Sequence, residues 1–383
     1  VTHADGSLRP VVKLAGAFAS LVLACLLVLP ARAQSLEVVR IGFAAPLTGP
    51  QAHYGNDSRN GAQLAIEELN AANPRIGGRP VRFELVVEDD QASPAIGTIV
   101  AQRLVDRNIR AMAGHFNSGV TIPASRIYHD AGVPQLSVST NVKYTQQGFE
   151  TAFRVMAADD RQGAALGQYA VLRLGLRRFA VIDDRTAYGQ GLADAFSAAV
   201  TAAGGQAVRR DFTTDKDVDF RALLTLLRGT NPDAIFFGGY DSQAGPMARQ
   251  MRELGMSVPL LGGETMRTAK FLELAGAAAE HHLASTPGAA IERRAGGKAF
   301  VERYRHRFGS DPGLYAPYVY DSVMVIAAAM QKAGSADPAK YLMALRSIRY
   351  PGVTADIEFD AQGNLREGPL SIYRVSGGEW VLQ

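Results

Sequence analysis

Leu36-Glu37-Val38-Val39-Arg40-Ile41-Gly42-Phe43-Ala44-Ala45-Pro46-Leu47-Thr48-Gly49-Pro50 is the stretch on which the reading of this chain turns. Val38, Val39, Ile41 and Phe43 supply the branched and apolar side chains of a buried strand, and Pro46, Gly49 and Pro50 end it. A helix is expected over residues 60–73, where Ala62, Ala65, Ile66 and Leu69 recur at helical spacing with Glu67 and Glu68 on the wet side. The turn Pro74-Arg75-Ile76-Gly77-Gly78 leads to a strand over 81–87. Helices over 94–107 and 120–130 then alternate with strands over 110–113 and 134–138.

A second block repeats the rhythm: helices over 160–174, 190–203, 217–228 and 243–254, each followed by a strand, over 178–183, 206–212, 233–237 and 258–261. Strands that alternate with helices of about 10–15 residues predict parallel sheets covered on both faces. Residues 149–157 separate the blocks, so two α/β lobes are expected. Beyond 284 the pattern changes to amphipathic segments over 295–308, 316–333 and 338–346, then strand-like pieces over 355–360, 370–375 and 379–382. Periodicity leaves open which lobe these join.

At 383 residues the chain exceeds the roughly 250–300 at which single cores stop growing, in keeping with two lobes. Lys and Arg total 40 against 37 Asp and Glu, a net charge of +3, so no nucleic-acid partner is expected. The single cysteine, Cys25, excludes an intramolecular disulfide and any multi-cysteine metal site. Residues 1–33 read as a signal peptide. Arg9 and Lys13 precede an apolar run over 14–30, and Ala31-Arg32-Ala33 before Gln34 supplies the small-residue cleavage site. The run lies at the lower limit of the roughly 17–25 residues a membrane span needs. The alternative is a lipid anchor at Cys25 in Val22-Leu23-Ala24-Cys25, though apolar residues continue through Leu29. A valine at position 1 suggests a non-ATG bacterial start. Periplasmic export is the expectation.

Signatures of catalysis do not emerge. The first strand leads into prolines rather than G-x-G-x-x-G, and G-x-x-x-x-G-K-[ST] and G-x-S-x-G are both missing, so neither an enzyme nor a cofactor is expected. Glu280-His281-His282 lacks the i,i+4 spacing that puts two metal ligands on one helix face, and no metal is expected. Asp89-Asp90 and Asp183-Asp184 each follow a strand and read as loop or helix-capping carboxylates.

Polar and aromatic residues do gather at the carboxyl ends of the strands, where open α/β sheets bind ligands. Phe116-Asn117-Ser118-Gly119 precedes a helix, so Ser118 and the helix-start N–H groups suit a carboxylate; Ser118 is equally a cap. Ser139 and Asn141, in Ser137-Val138-Ser139-Thr140-Asn141, offer carbonyls and amide groups to an amino acid head, or form a plain polar turn. Tyr188 and Tyr240 follow strands of the second block as aromatic walls or local plugs. Glu264, in Gly262-Gly263-Glu264-Thr265, is an anion for a ligand ammonium or a solvated loop residue.

Taken in order, these pieces resemble the bacterial periplasmic branched-chain amino acid binding proteins, solute receptors of ABC importers with the type I periplasmic binding fold. The resemblance covers 36–382 and is carried by Ile41-Gly42 through Gly49-Pro50, Tyr54-Gly55, Asp89-Asp90, Gly114-His115, Pro123-Ala124-Ser125, Asp183-Asp184 through Gly191, Gly238-Gly239-Tyr240 and Gly263-Glu264. It implies two doubly wound parallel-sheet lobes joined by three crossovers, near 153–157, 284–288 and 352–357. Lobe one would be 36–155 plus 286–354, and lobe two 156–285 plus 355–382. It assigns Ser118 to the ligand carboxylate, Ser139 and Asn141 to the amino acid head, and Glu264 to the ammonium. Tyr188 and Tyr240 become second-lobe walls, Phe116 a side-chain wall, and Tyr54 and Tyr315 neighbours of the pocket. The implied partners are an amino acid, branched-chain or otherwise apolar, and an inner-membrane ABC permease, with the receptor a monomer. A ligand-sensing subunit binding an amino acid, amide or small carboxylate is the alternative. Two departures stand out. The disulfide of well-known members falls at Ala92 and Asn117, and a threonine is replaced by Asn141.

Overall fold

The computed structural model describes residues 1–3 and 36–383, so the signal-peptide and Cys25 readings fall almost wholly outside the described residues. Strands β1 (Glu37–Ala45), β2 (Arg75–Ile76), β3 (Arg79–Asp89), β4 (Ala111–Gly114), β5 (Gln135–Ser137) and β6 (Ala152–Arg154) form one sheet in the order β2-β3-β1-β4-β5-β6. All its pairings are parallel except that of the two-residue β2 with β3. Helices α1 (Ala52–Ala71), α2 (Pro94–Asp106) and α3 (Ser118–Asp130) connect these strands. Here α1 begins well before residue 60. Its first turns bury Tyr54, Gly55 and Ser58, small or hydroxyl-bearing residues that leave no hydropathy signal.

The second sheet takes β7 (Arg178–Asp183), β8 (Gln206–Phe212), β9 (Ala234–Gly238), β10 (Leu260–Gly262) and β11 (Leu283–Pro287). After a small ribbon of β12 (Tyr350–Pro351) and β13 (Asp356–Ile357), β14 (Leu370–Ser376) and β15 (Glu379–Leu382) complete it. The order is β15-β14-β11-β10-β9-β7-β8, parallel up to β11 and antiparallel at β14 and β15. Its helices are α4 (Asp159–Gln168), α5 (Ala187–Ala202), α6 (Arg221–Arg228), α7 (Asp241–Glu253) and α8 (Ala269–Ala275). The sequence reading did not foresee β6, α8 or β11; Ser285 and Thr286 make β11 look polar although every residue in it is buried.

Three further helices, α9 (Gly297–Phe308), α10 (Ala316–Ala333) and α11 (Pro338–Arg346), follow β11. The α9–α10 hairpin lies against α1 of the first lobe. Asp57 of α1 accepts the N–H groups of Gly313 (2.8 Å), Tyr315 (2.9 Å) and Ala316 (2.9 Å), satisfying donors at the start of α10. Burial pushes the Asp57 carboxyl above its ordinary range and these bonds oppose that. Glu68 of α1 likewise receives Arg303 (2.7 Å) and the Tyr320 hydroxyl (2.6 Å). The chain therefore passes between the sheets after Arg154, after Pro287 and ahead of Leu370. On the last passage Asn364 still bridges Arg154 of β6, and Asp321 of α10 holds Val353 and Thr354 through three hydrogen bonds.

The α1–α10 contact is close because Gly61 has no side chain: a Cβ there would stand 2.0 Å from the Ala316 carbonyl oxygen. Both atoms belong to packed helices and neither can swing aside. Gly61→Ala is expected to cost about 1–3 kcal/mol in urea unfolding, the range of an overpacked core. Unchanged stability would mean that α10 does not dock on α1 in this way.

Candidate functional site

The carboxyl ends of β4 and β5 in one lobe face those of β7, β9 and β10 in the other across a closed cleft. Phe116, Ser118, Val138 and Thr140 meet Tyr188, Tyr240, Glu264 and Thr265 there, and Tyr315 joins from the turn before α10. The space between them is about 10 Å³, near the least that holds one water. Ser118 and Glu264 thus look onto the same point from opposite lobes.

The first-lobe side is neutral and rich in donors. Ser118 is the first residue of α3 and lines the cavity, and Asn117 before it makes no side-chain capping bond to the first turn. The Ser139 hydroxyl donates to Ser118 Oγ at 3.0 Å, and the Asn141 N–H approaches it at 3.4 Å. Arg154, wholly buried at the end of β6, supports this loop from behind. Its guanidinium donates to the carbonyls of Ser139 (3.0 Å) and Asn141 (2.9 Å) and to Thr145 Oγ1 (3.1 Å).

The second-lobe side is acidic. Glu264 follows β10, is 2% exposed, and accepts from Gln162 Nε2 (2.6 Å) and the Tyr188 hydroxyl (3.0 Å) through the same oxygen. Asp159, the first residue of α4, is 1% exposed, and neither of its oxygens has a partner. Burial pushes both carboxyls above their ordinary range, and the repulsion of Glu264 adds to the rise at Asp159. A buried carboxylate pair is costly; the charge of Arg154 opposes part of that cost at Asp159, and a cation placed beside Glu264 would be favoured.

Direct bonds surround the cavity, all but that of Asn117 to Gln51 running between the lobes. The Tyr54 hydroxyl donates to the Thr265 carbonyl (2.5 Å), Asn117 Nδ2 to the Tyr240 hydroxyl (2.9 Å) and to Gln51 Oε1 (2.6 Å), and Asn141 Nδ2 to the Ala187 carbonyl (2.6 Å). His53 Nε2 lies 2.8 Å from Asp241 Oδ2. Tyr54 stacks on Phe116 at 5.0 Å and stands edge-on to Tyr315 at 5.7 Å.

Among the residues expected from sequence, Ser118, Glu264, Tyr188, Tyr240, Phe116 and Tyr315 line the cavity. Tyr54 is one layer back. The Ser139 hydroxyl reaches Ser118, whereas Asn141 spends its amide on Ala187 and its oxygen on the Lys143 N–H (2.9 Å). Val138 and Thr140 face the space instead, as alternation along an extended segment requires. Asp159, Gln162 and Thr265 were not singled out beforehand; Asp159-Asp160 at a helix start reads as an ordinary N-terminal acidic pair. Among the described residues no helix is long and apolar enough to cross a membrane, and no group of three or more His, Cys, Asp or Glu side chains converges as a metal site.

The sequence profile of the periplasmic binding proteins matches residues 38–379. An amino acid binding protein of Pseudomonas aeruginosa is 37% identical over 342 residues, 88% of this chain and 90% of that protein. A leucine-, isoleucine-, valine-, threonine- and alanine-binding protein of the same species is 32% identical over 338 residues, again 88% and 90%. A solved leucine-binding protein from Thermotoga maritima superposes with a TM-score of 0.83 at 30% identity, covering 90% of this chain and 97% of that one. With the match running from the first strand to the last, the chain belongs to the periplasmic binding protein family, receptors that hold a solute between two lobes without transforming it.

Proposed function

We propose that the cleft binds one free α-amino acid and presents it to an inner-membrane ABC permease. The observation that carries this reading is the opposition of unlike surfaces: the Ser118 hydroxyl at the start of α3 on one lobe and the buried Glu264 carboxylate on the other, with the buried Asp159 close enough to repel it. An α-carboxylate suits the Ser118 hydroxyl and the helix start. The ammonium suits Glu264, with Asp159 as a second acceptor. Phe116, Val138, Tyr240 and Tyr315 then surround the side chain. The relatives named above bind amino acids, several of them branched-chain, in line with this assignment.

The cycle is mechanical. Ligand settles on the donors of the first lobe while the cleft is open. The second lobe then closes over it, because the ammonium compensates a carboxylate that would otherwise be desolvated. It closes less far than in the empty form, whose space of about 10 Å³ is near the least that holds one water. Ligand thus favours the closed form by its differential affinity for that form. The closed pair of lobes is what the permease receives, and ATP is consumed by the transporter, since this chain has no phosphate-binding loop. We further infer a monomer, carried to the periplasm by a leader cleaved after Ala33.

Glu264→Ala is expected to weaken amino acid binding by about 1.5–3 kcal/mol, the scale of a lost charge-assisted bond, measured by calorimetry. Equal affinity would remove Glu264 from the ammonium site. The carboxyls give a pH signature as well. Their raised pKa in the closed empty form means that this form binds more protons than an open one whose carboxyls meet water. Empty closure is therefore favoured as pH falls and lost as pH rises. Small-angle scattering of ligand-free protein should give a smaller radius of gyration at pH 5 than at pH 8, and Asp159→Asn combined with Glu264→Gln should abolish the difference. A radius independent of pH in the unsubstituted protein would count against the pair as the element that holds empty lobes apart.

A further inference from the structure

Tyr315 is 2% exposed and lines the cavity, yet its hydroxyl has no hydrogen-bond partner. The neighbouring tyrosines differ. Tyr54 donates to the Thr265 carbonyl, Tyr188 to Glu264, and Tyr240 receives Asn117. The ring of Tyr315 is fixed edge-on to Phe116 at 4.7 Å and to Tyr54 at 5.7 Å, and its N–H is held by Asp57 at 2.9 Å. The hydroxyl therefore has little freedom to find another partner. One residue from Phe116, Asn117 Oδ1 is also buried without a donor.

An unpaired hydroxyl at the aromatic side of a dry cleft is costly in the closed state, and an aliphatic side chain would leave it unpaired. A side chain with its own neutral hydrogen-bonding group would satisfy it. Building on the amino acid reading, we propose that the pocket selects α-amino acids whose side chains carry a neutral hydroxyl or amide, with Tyr315 as the residue that recognises that group. A site built around a hydrogen bond discriminates sharply against the isostere that lacks it, because its own polar group is then stranded.

The test is calorimetric titration of the purified protein with three near-isosteric pairs: threonine and valine, asparagine and leucine, tyrosine and phenylalanine. At least one polar member should bind about tenfold or more tightly than its apolar counterpart, as expected for one satisfied buried group. Tyr315→Phe should collapse that preference by weakening the polar member about tenfold or more relative to its apolar counterpart, and a thermal unfolding midpoint close to that of the unsubstituted protein would show that the variant is folded. Tighter binding of the apolar member in every pair would overturn the proposal and leave the amino acid reading intact. So would a Tyr315→Phe variant that weakens both members equally, because the hydroxyl would then serve the shared head group. Binding by none of the six would overturn it too. A screen of the remaining standard amino acids would then decide separately whether the amino acid reading stands.

Discussion

Closing two lobes over Glu264 and Asp159 removes two carboxylates from water, with Arg154 offsetting part of the cost at Asp159, and much of the site can be understood as a response to what remains. Glu264 is partly stabilised by Gln162 and Tyr188, while Asp159 has no acceptor bond filled. On the proposed reading, the ammonium of the solute supplies the charge that Glu264 lacks. On that reading, selectivity for a cationic head and coupling of occupancy to shape come from the same two groups.

The opposite wall needs rigidity rather than charge. Ser118 and Gly119 are placed by the start of α3, and the loop after β5 is braced by Arg154, whose guanidinium is spent on backbone carbonyls. Arg154 also meets Asn364 on the last passage between the sheets. The loop after β5 and the last passage between the sheets therefore share one buried cation. Asp57 and Gly61 fix Tyr315 in the same manner, by seating α10 on α1 far from the binding chemistry.

Much of this was legible in the sequence. Alternating apolar runs and amphipathic helices gave two parallel-sheet lobes, and the resemblance supplied the return of the chain after residue 284. Ser118, Tyr188, Tyr240, Glu264 and Phe116 could be singled out because strand ends are where such sheets bind. What escaped did so for physical reasons. Asp159 looks like a routine helix-start acid until the fold buries it within range of the Glu264 charge, and Gln162 reaches Glu264 across 102 positions of sequence. Asn141 was weighed both as ligand group and as polar turn, and its side chain makes turn and interlobe bonds. Strand alternation brought Thr140 rather than its neighbours to the cavity, a choice of phase that a five-residue polar run does not reveal.

Asn117 occupies the place where well-known relatives have one half of a disulfide, and its amide instead ties Gln51 of its own lobe to Tyr240 of the other. Cysteine occurs only at position 25, ahead of the first strand. No thiol oxidation is needed to shape the walls around the solute. Assembly of the two lobes is accordingly indifferent to the supply of oxidising equivalents outside the cytoplasm, and a reductant leaves the fastening between Asn117 and Tyr240 untouched.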